Sequence, residues 1–382
     1  MTGNSVRVLQ FGRFWNTQHG GIERHVSQLS KGLAAEGLEV VNLVASVSLH
    51  GRNESIDGYR LVQAPSFGKA LSTALAPALV MRAIALHKEN PFDIFHFHFP
   101  DPLTHLASEL LPRHVKRVIT WHSEIVRQKR VLALYKPFLQ GVTRRADAIV
   151  AATAAHFESS RLIPADIPAS RCHVIPYGMD FVAMELSERT EQFRDQIRDT
   201  AGGRGLVFAL GRHVYYKGFD VLIDAIHQID GHLILGGDGP LREELKQRAV
   251  KLGIAERVQF PGRIPEDDLA AYFHACDVFC LPSVNEMEAF GLVQLEAMVC
   301  GKPVVCTQLN NGVNVVNVEG VTGLTVPVGD SRALGEALSR LLGDAAFRER
   351  LGQQARALAL GTYSLPAMAA SHIKLYQDLF NT

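Results

Sequence analysis

The stretch Ser283–Pro303, SVNEMEAFGLVQLEAMVCGKP, is where the chain's chemistry and its chain path can be read together. Glu288 and Glu296 stand in it with seven residues between them. Leu292, Leu295, Met298 and Val299 recur at offsets of three and four, which predicts an amphipathic helix over the second half. Phe290 and Gly291 fall where that helix would begin, so unpaired backbone N–H groups are expected just after Glu288. Amides facing an anion, flanked by carboxylates that accept hydroxyl hydrogen bonds, suit a phosphorylated, polyhydroxylated ligand. One acidic loop and one solvated helix glutamate would leave the same spacing, and spacing alone does not separate the two.

Outward from this stretch, short apolar strands alternate with helical patterns, the signature of parallel α/β sheets. Val6 to Phe11 reads as the first strand, and Ile22, Val26, Leu29 and Leu33 as one face of a helix that Gly37 ends. The first domain is expected to end near IPYGMD (175–180), after strands DAIVAAT and CHVIP. A charged stretch, ELSERTEQFRDQIRDTAGGRG, then leads into a second Rossmann-like domain starting at Leu206 with LVFALG, HLILGG and VQF as strands. The expected fold class is α/β, two doubly wound parallel-sheet domains over 1–180 and 181–363, followed by a last helix within 364–382.

Composition narrows the function. A chain of 382 residues is long enough for two domains, each with its own core. With 39 basic and 39 acidic residues the formal net charge is zero, which argues against a general nucleic-acid binder. Five cysteines without a CxxC pair predict reduced thiols and a cytoplasmic location. No signal peptide is read at the N-terminus, and no apolar run reaches the roughly 18 residues of a membrane span.

Several residues offer chemistry. Gly20 and Gly21 remove side chains where a loop meets a helix, which lets a phosphate approach the backbone, although two glycines are also ordinary loop chemistry. In DIFHFHF, Phe95, Phe97 and Phe99 share one strand face and His96 and His98 the other. Those two histidines, with His122 as a third, have the composition of a metal set. No carboxylate or cysteine ligands accompany them, so the expectation is no metal and hydrogen-bonded histidines along a cleft edge. Between Pro112 and Asp147, nine basic residues interleave with apolar ones, a pattern of solvated helix faces or of a surface resting on anionic lipid. In GRHVYYKG, Arg212 and Lys217 emerge after a strand and suit a diphosphate whose charge grows as a bond to it breaks. No G-x4-G-K-[ST] and no G-x-G-x-x-G occurs, so neither a P-loop nor a dinucleotide fingerprint is present.

The segment EAFGLVQLEAMVCGKPVV resembles the E-x7-E signature of the retaining glycosyltransferases of family 4. GGIERH (20–25), HFH (96–98), TWHSE (120–124), IPYGMD (175–180), GRHVYYKG (211–218), GDGP (237–240) and DVFCLPS (277–283) recur in that family's order over nearly the whole chain. The resemblance implies the GT-B fold, two facing Rossmann-like domains with an active site in the cleft between them and the last helix crossing back to the first. It implies that Glu296 binds ribose hydroxyls and Glu288 a hydroxyl of the transferred hexose, aided by backbone N–H groups of Phe290, Gly291 and Leu292. Arg212 and Lys217 would stabilise the departing nucleoside diphosphate, His122 would contact the donor sugar, and Gly20 and Gly21 would lie near donor phosphates or acceptor. Arg263 and Ile264 would sit by the base. Transfer is expected to retain configuration without a metal.

TWHSEIVRQKRVLALYKPF and RRADAIVAAT are most similar to bacterial enzymes that build lipopolysaccharide. That implies a hexosyltransferase using a GDP-sugar, mannose or D-rhamnose, on a lipid-linked glycan, peripherally bound at the inner face of the cytoplasmic membrane. A UDP-sugar donor, an inactive nucleotide-sugar scaffold and a nucleotide-dependent oxidoreductase are the alternative readings.

Overall fold

The computed structural model describes residues 6–14, 21–70, 73–122, 129–288 and 290–381. The chain divides into two compact units, the first built from residues 1–179 and 364–382 and the second from 180–363. Each is organised on its own sheet.

The first unit's sheet runs, edge to edge, Cys172–Val174, Ala148–Ala151, Lys116–Trp121, Ile94–Phe99, Arg7–Phe14, Glu39–Ala45, Tyr59–Ala64 and Arg52–Ile56. All pair in parallel except the last, which folds back on Tyr59–Ala64 as a hairpin. Its central strand is buried on both faces. Phe95, Phe97 and Phe99 join Leu9, Phe11 and Trp121 in one core. His96 and His98 point to the opposite face and are completely buried, so they do not line a solvent edge as expected from the alternation. That face is covered by the C-terminal helix Leu365–Asn381, whose Leu365, Met368, Leu375 and Tyr376 pack with Val8, Leu29 and Leu33. The helix can approach because Gly178 has no side chain: a Cβ there would meet Met368 Cβ and the Ser364 carbonyl oxygen at 2.6 Å. Leu365 N–H donates to Met179 O at 2.9 Å, which ties the returning chain to the segment just before it leaves the unit.

The second unit's sheet is wholly parallel, in the order Val258–Gly262, Gly231–Gly236, Gly205–Leu210, Val278–Leu281, Val304–Thr307 and Gly323–Val326. In chain order these strands are 3-2-1-4-5-6, so the winding reverses between Gly205–Leu210 and Val278–Leu281. Open α/β sheets bind ligands beyond the carboxyl ends of the strands at such a reversal. Helices Phe219–His227 and Ser331–Gly343 bury Leu222, Ile223, Ile226, Leu334 and Leu338 against the sheet. All five cysteines are free, and four of them, Cys276, Cys280, Cys300 and Cys306, are buried. No helix among the described residues is long and apolar enough to cross a membrane.

Candidate active site

The two loops at that reversal point in the second unit carry the charged residues. After Leu210 the chain runs through Arg212 into the short turn Tyr215–Lys217, and after Leu281 it runs through Ser283 to Glu288. Backbone contacts bind one loop to the other: Val284 N–H donates to Tyr216 O at 2.8 Å. Gly218, at φ +64°, lies so close to the Pro282 carbonyl oxygen that any Cβ would collide with it. This approach places Lys217 Nζ 2.5 Å from Glu288 Oε2, both side chains 12% exposed. Ser283 Oγ donates to the same carboxylate oxygen at 3.2 Å, and Thr307 Oγ1 donates to Ser283 O. Asn311 Nδ2 donates to the backbone carbonyl of Glu288 at 2.7 Å. Ser283 and Asn311 carry no motif of their own; only proximity in the fold reveals them.

Beside this pair lies a pocket of about 660 Å³ whose lining includes Gly211, Arg212, Gly237, Gly239, Arg263 and Ile264. Three strand ends meet there. The loop after Gly236 crosses that after Leu210 with almost no clearance: a side chain on Gly237, at φ +108°, would strike the Gly211 carbonyl oxygen. His213 N–H donates to Asp238 O at 2.9 Å and fixes the crossing. The result is a concave surface of backbone and apolar side chains that also carries Asp238 and two arginines, Arg212 and Arg263, all three exposed. It can accept a nucleotide's anionic groups without a buried unpaired charge.

The helix after Glu288 differs from the expected one. It spans Val293–Val299 and begins just past the expected start at Phe290 and Gly291, because Gly291 takes φ +66° and interrupts it. Phe290, Gly291 and Leu292 therefore form the turn that precedes the helix. Gln294, Leu295, Ala297, Met298 and Val299 are all buried, so the helix is enclosed rather than amphipathic. Gln294 Nε2 donates to the carbonyls of Phe290 and Val313 at 3.0 and 3.1 Å and holds the turn. Glu296 sits in the first turn of this helix, half-buried.

In the first unit, His122 follows the strand Lys116–Trp121 at its carboxyl end. Its Nε2 lies 3.0 Å from His98 Nδ1, its Nδ1 lies 2.9 Å from the Tyr177 hydroxyl, and His98 Nε2 lies 2.8 Å from Gln10 Oε1. An amide oxygen can only accept, so the row has one direction: His98 donates to Gln10, His122 to His98, and Tyr177 to His122. His96 stands apart from this row, its two nitrogens taken by Tyr376 and Thr120 at 2.7 Å. In its place His25, from helix Gly21–Ala35, packs its ring against His122 and Tyr177 with centroids 4.9 and 4.8 Å away. Burial, then the neighbouring imidazoles, hold the pKa values of His25, His98 and His122 well below the ordinary histidine value, so all three are neutral. His25 and Tyr177 escaped the reading of the residues although GGIERH and IPYGMD contain them. Gly21 opens the His25 helix; Gly20 lies outside the described residues.

The basic stretch from Pro112 to Asp147 is more fully neutralised than its own sequence suggests. Arg145 pairs with Glu109 at 2.6 Å and Arg144 with Asp166 at 2.8 Å, acids outside the stretch. Arg117 is a buried structural group that donates to the carbonyls of Ser108, Leu111 and Pro112. Leu139 is fully buried, and Tyr135 and Phe138 pack against the same core. Residues 123–128 fall outside the described chain.

Family models agree with this geometry. One described as "Glycosyltransferase Family 4" matches residues 19–182, and one described as "Glycosyl transferases group 1" matches 190–358. The chain is 30% identical over 355 residues to the D-rhamnosyltransferase WbpZ of Pseudomonas aeruginosa, covering 92% of this chain and 91% of that one. It is 27% identical over 381 residues to the O-antigen chain mannosyltransferase C of Escherichia coli, covering 99% and 100%. A glycosyltransferase structure from Rickettsia africae superposes with a TM-score of 0.78 over the whole of both chains, at 18% identity, which speaks for the fold. Matched in both units and against relatives of nearly equal length, the chain belongs to the group 1, family 4 glycosyltransferases and is a hexosyltransferase of the GT-B fold.

Proposed function

We propose that this transferase moves mannose or D-rhamnose, with retention of configuration, from a GDP carrier to a lipid-linked glycan during O-polysaccharide synthesis. The observation that carries the reading is the Lys217–Glu288 pair at the sheet's reversal point, beside a pocket bearing Arg212 and Arg263. A cation held by a carboxylate is poised for exchange. When the donor enters, Lys217 turns with Arg212 to the diphosphate, and Glu288 is released to accept a hexose hydroxyl. Glu296 takes the ribose hydroxyls. Breaking the bond from C1 to the diphosphate oxygen leaves charge on that oxygen, and the two cations meet it where it develops. The acceptor hydroxyl adds to C1 on the same face and passes its proton to the departing phosphate, so no enzymic nucleophile is required. With two side-chain cations in that role, the transfer step is proposed to be independent of metal. His122 reaches the sugar by exchanging one of its two hydrogen bonds for a sugar hydroxyl. The mannosyl and rhamnosyl relatives support the choice of sugar, and a lipid-linked acceptor of the proposed kind would place the reaction at the cytoplasmic membrane face.

The deciding experiment is calorimetric titration with GDP, UDP, ADP and dTDP in EDTA. Selective GDP binding is expected, weakened roughly tenfold or more by Glu296→Ala, since a hydrogen bond to a charged group is worth about 1.5–3 kcal/mol. A preference for UDP would overturn the donor, and binding of none of them would sink the proposal.

A further inference from the structure

The histidines of the first unit fit a second kind of ligand that the transfer reaction does not use. We propose that His25, His98 and His122 form a binding site for a borderline divalent transition metal of the zinc or cobalt type. One nitrogen from each lies within 4.8 Å of those from the other two. His98 Nδ1 and His122 Nε2, at 3.0 Å, are near the separation of about 3.3 Å that tetrahedral bonds of 2.0–2.1 Å require. His25 supplies the independent observation. It is 8% exposed, and neither of its ring nitrogens has a hydrogen-bond partner among the described residues. Buried polar atoms are ordinarily paired, and an exception calls for an unfilled role. The three residues reach this spot from different places: a helix, the strand Ile94–Phe99, and the end of the strand Lys116–Trp121.

The surroundings also match a metal centre. Ligating imidazoles are oriented by a partner on the other nitrogen. His98 Nε2 already faces Gln10 Oε1, and His122 Nδ1 faces the Tyr177 hydroxyl. Binding asks His122 to move its proton from Nε2 to Nδ1, where Tyr177 turns to accept it, so no net proton is released. His96, suggested by sequence alternation as a ligand, is excluded because Thr120 and Tyr376 occupy both its nitrogens. Three neutral imidazoles leave the charge of the ion uncompensated, so a fourth ligand from water or an anion completes the set. A metal held this way removes His122 from the sugar, and zinc therefore inhibits transfer; this consequence, unlike the site itself, rests on the role proposed for His122.

Tag-free full-length protein, stripped with EDTA, is titrated with CoCl2 and then ZnCl2. One equivalent of cobalt with a visible d–d band and no thiolate charge-transfer band is expected, and zinc should abolish the band. His25→Phe should lose the band while keeping nucleoside diphosphate binding, and Tyr177→Phe should weaken cobalt roughly tenfold. No band in the native protein, or a band that survives His25→Phe, overturns the site. If His25→Phe does not fold, the ring ¹⁵N shifts of the native protein decide, with zinc moving His25, His98 and His122 or leaving them in place. A band present while zinc leaves transfer unchanged upholds the site and refutes the role of His122 in transfer.

Discussion

The two units bring polar groups to the carboxyl ends of their strands in opposite ways. In the second unit the groups are ions on loops: Arg212 and Arg263 exposed, Lys217 held against Glu288, and glycines where loops cross. In the first they are neutral imidazoles under cover, aligned by Gln10 and Tyr177. Ions can sit on loop ends because water and one another solvate them until a diphosphate arrives. Histidines packed between a sheet and helices lose that solvation and give up their charge instead. One unit is suited to handling developing charge, and the other to fixing direction by hydrogen bonds.

The largest test of this contrast removes a charge from the second unit. Lys217→Ala is expected to lower kcat by about 10²–10³, the scale of losing one donor to a transition-state anion. Glu288→Gln should cost less in kcat and more in KM, because it keeps the shape and a hydrogen-bond acceptor while freeing Lys217. Steady-state kinetics with the donor chosen by calorimetry would expose the error if Lys217→Ala transferred at the native rate.

The next effect lies in the first unit and depends on pH. His25, His96, His98 and His122 all have folded-state pKa values below the ordinary 6.5, chiefly through burial. The unfolded chain therefore takes up protons first as the pH falls below 6.5, and stability present above that value is lost. The scale is about 1.4 kcal/mol per pH unit for each such histidine. Asp101 works against this: burial raises its carboxyl to about 7, so its contribution is lost as pH rises toward that value. The four histidines outweigh it. Trp121 is buried in the core of the first unit, so its emission follows that unit's unfolding. The urea midpoint read this way should fall between about pH 7.5 and pH 5.5. An unchanged midpoint would mean that these imidazoles are not held neutral.

The smallest expected effect concerns the basic stretch of the first unit. With Arg117, Arg144 and Arg145 engaged inside the protein, weak attachment to anionic vesicles is expected, released by salt near physiological strength. Flotation with such vesicles checks it; protein that never floats at low salt would remove the electrostatic membrane contact from the proposal.

Alternating strands and helices were enough to place the strands LVFALG and HLILGG, because each buries its own apolar residues whatever its neighbours do. The E-x7-E spacing and the GRHVYYKG loop marked Glu288, Glu296, Arg212 and Lys217 as candidates for the same reason: loop chemistry after a strand is local. The apolar period placed the helix Val293–Val299, but its start falls past the expected Phe290–Gly291, since Gly291 takes a positive φ where a side chain would meet Leu281 and Gln294. The balance of the basic stretch was also hidden, because Glu109 and Asp166 lie outside it in sequence and beside it in space. Sequence by itself determined the class of the fold, the family and the residues able to carry charge. Only tertiary structure decided that Lys217 meets Glu288 across 71 residues and that His25 replaces His96 beside His122. Side-chain type and spacing are properties of a local segment, whereas a hydrogen bond or a shared ligand depends on where distant segments come to rest.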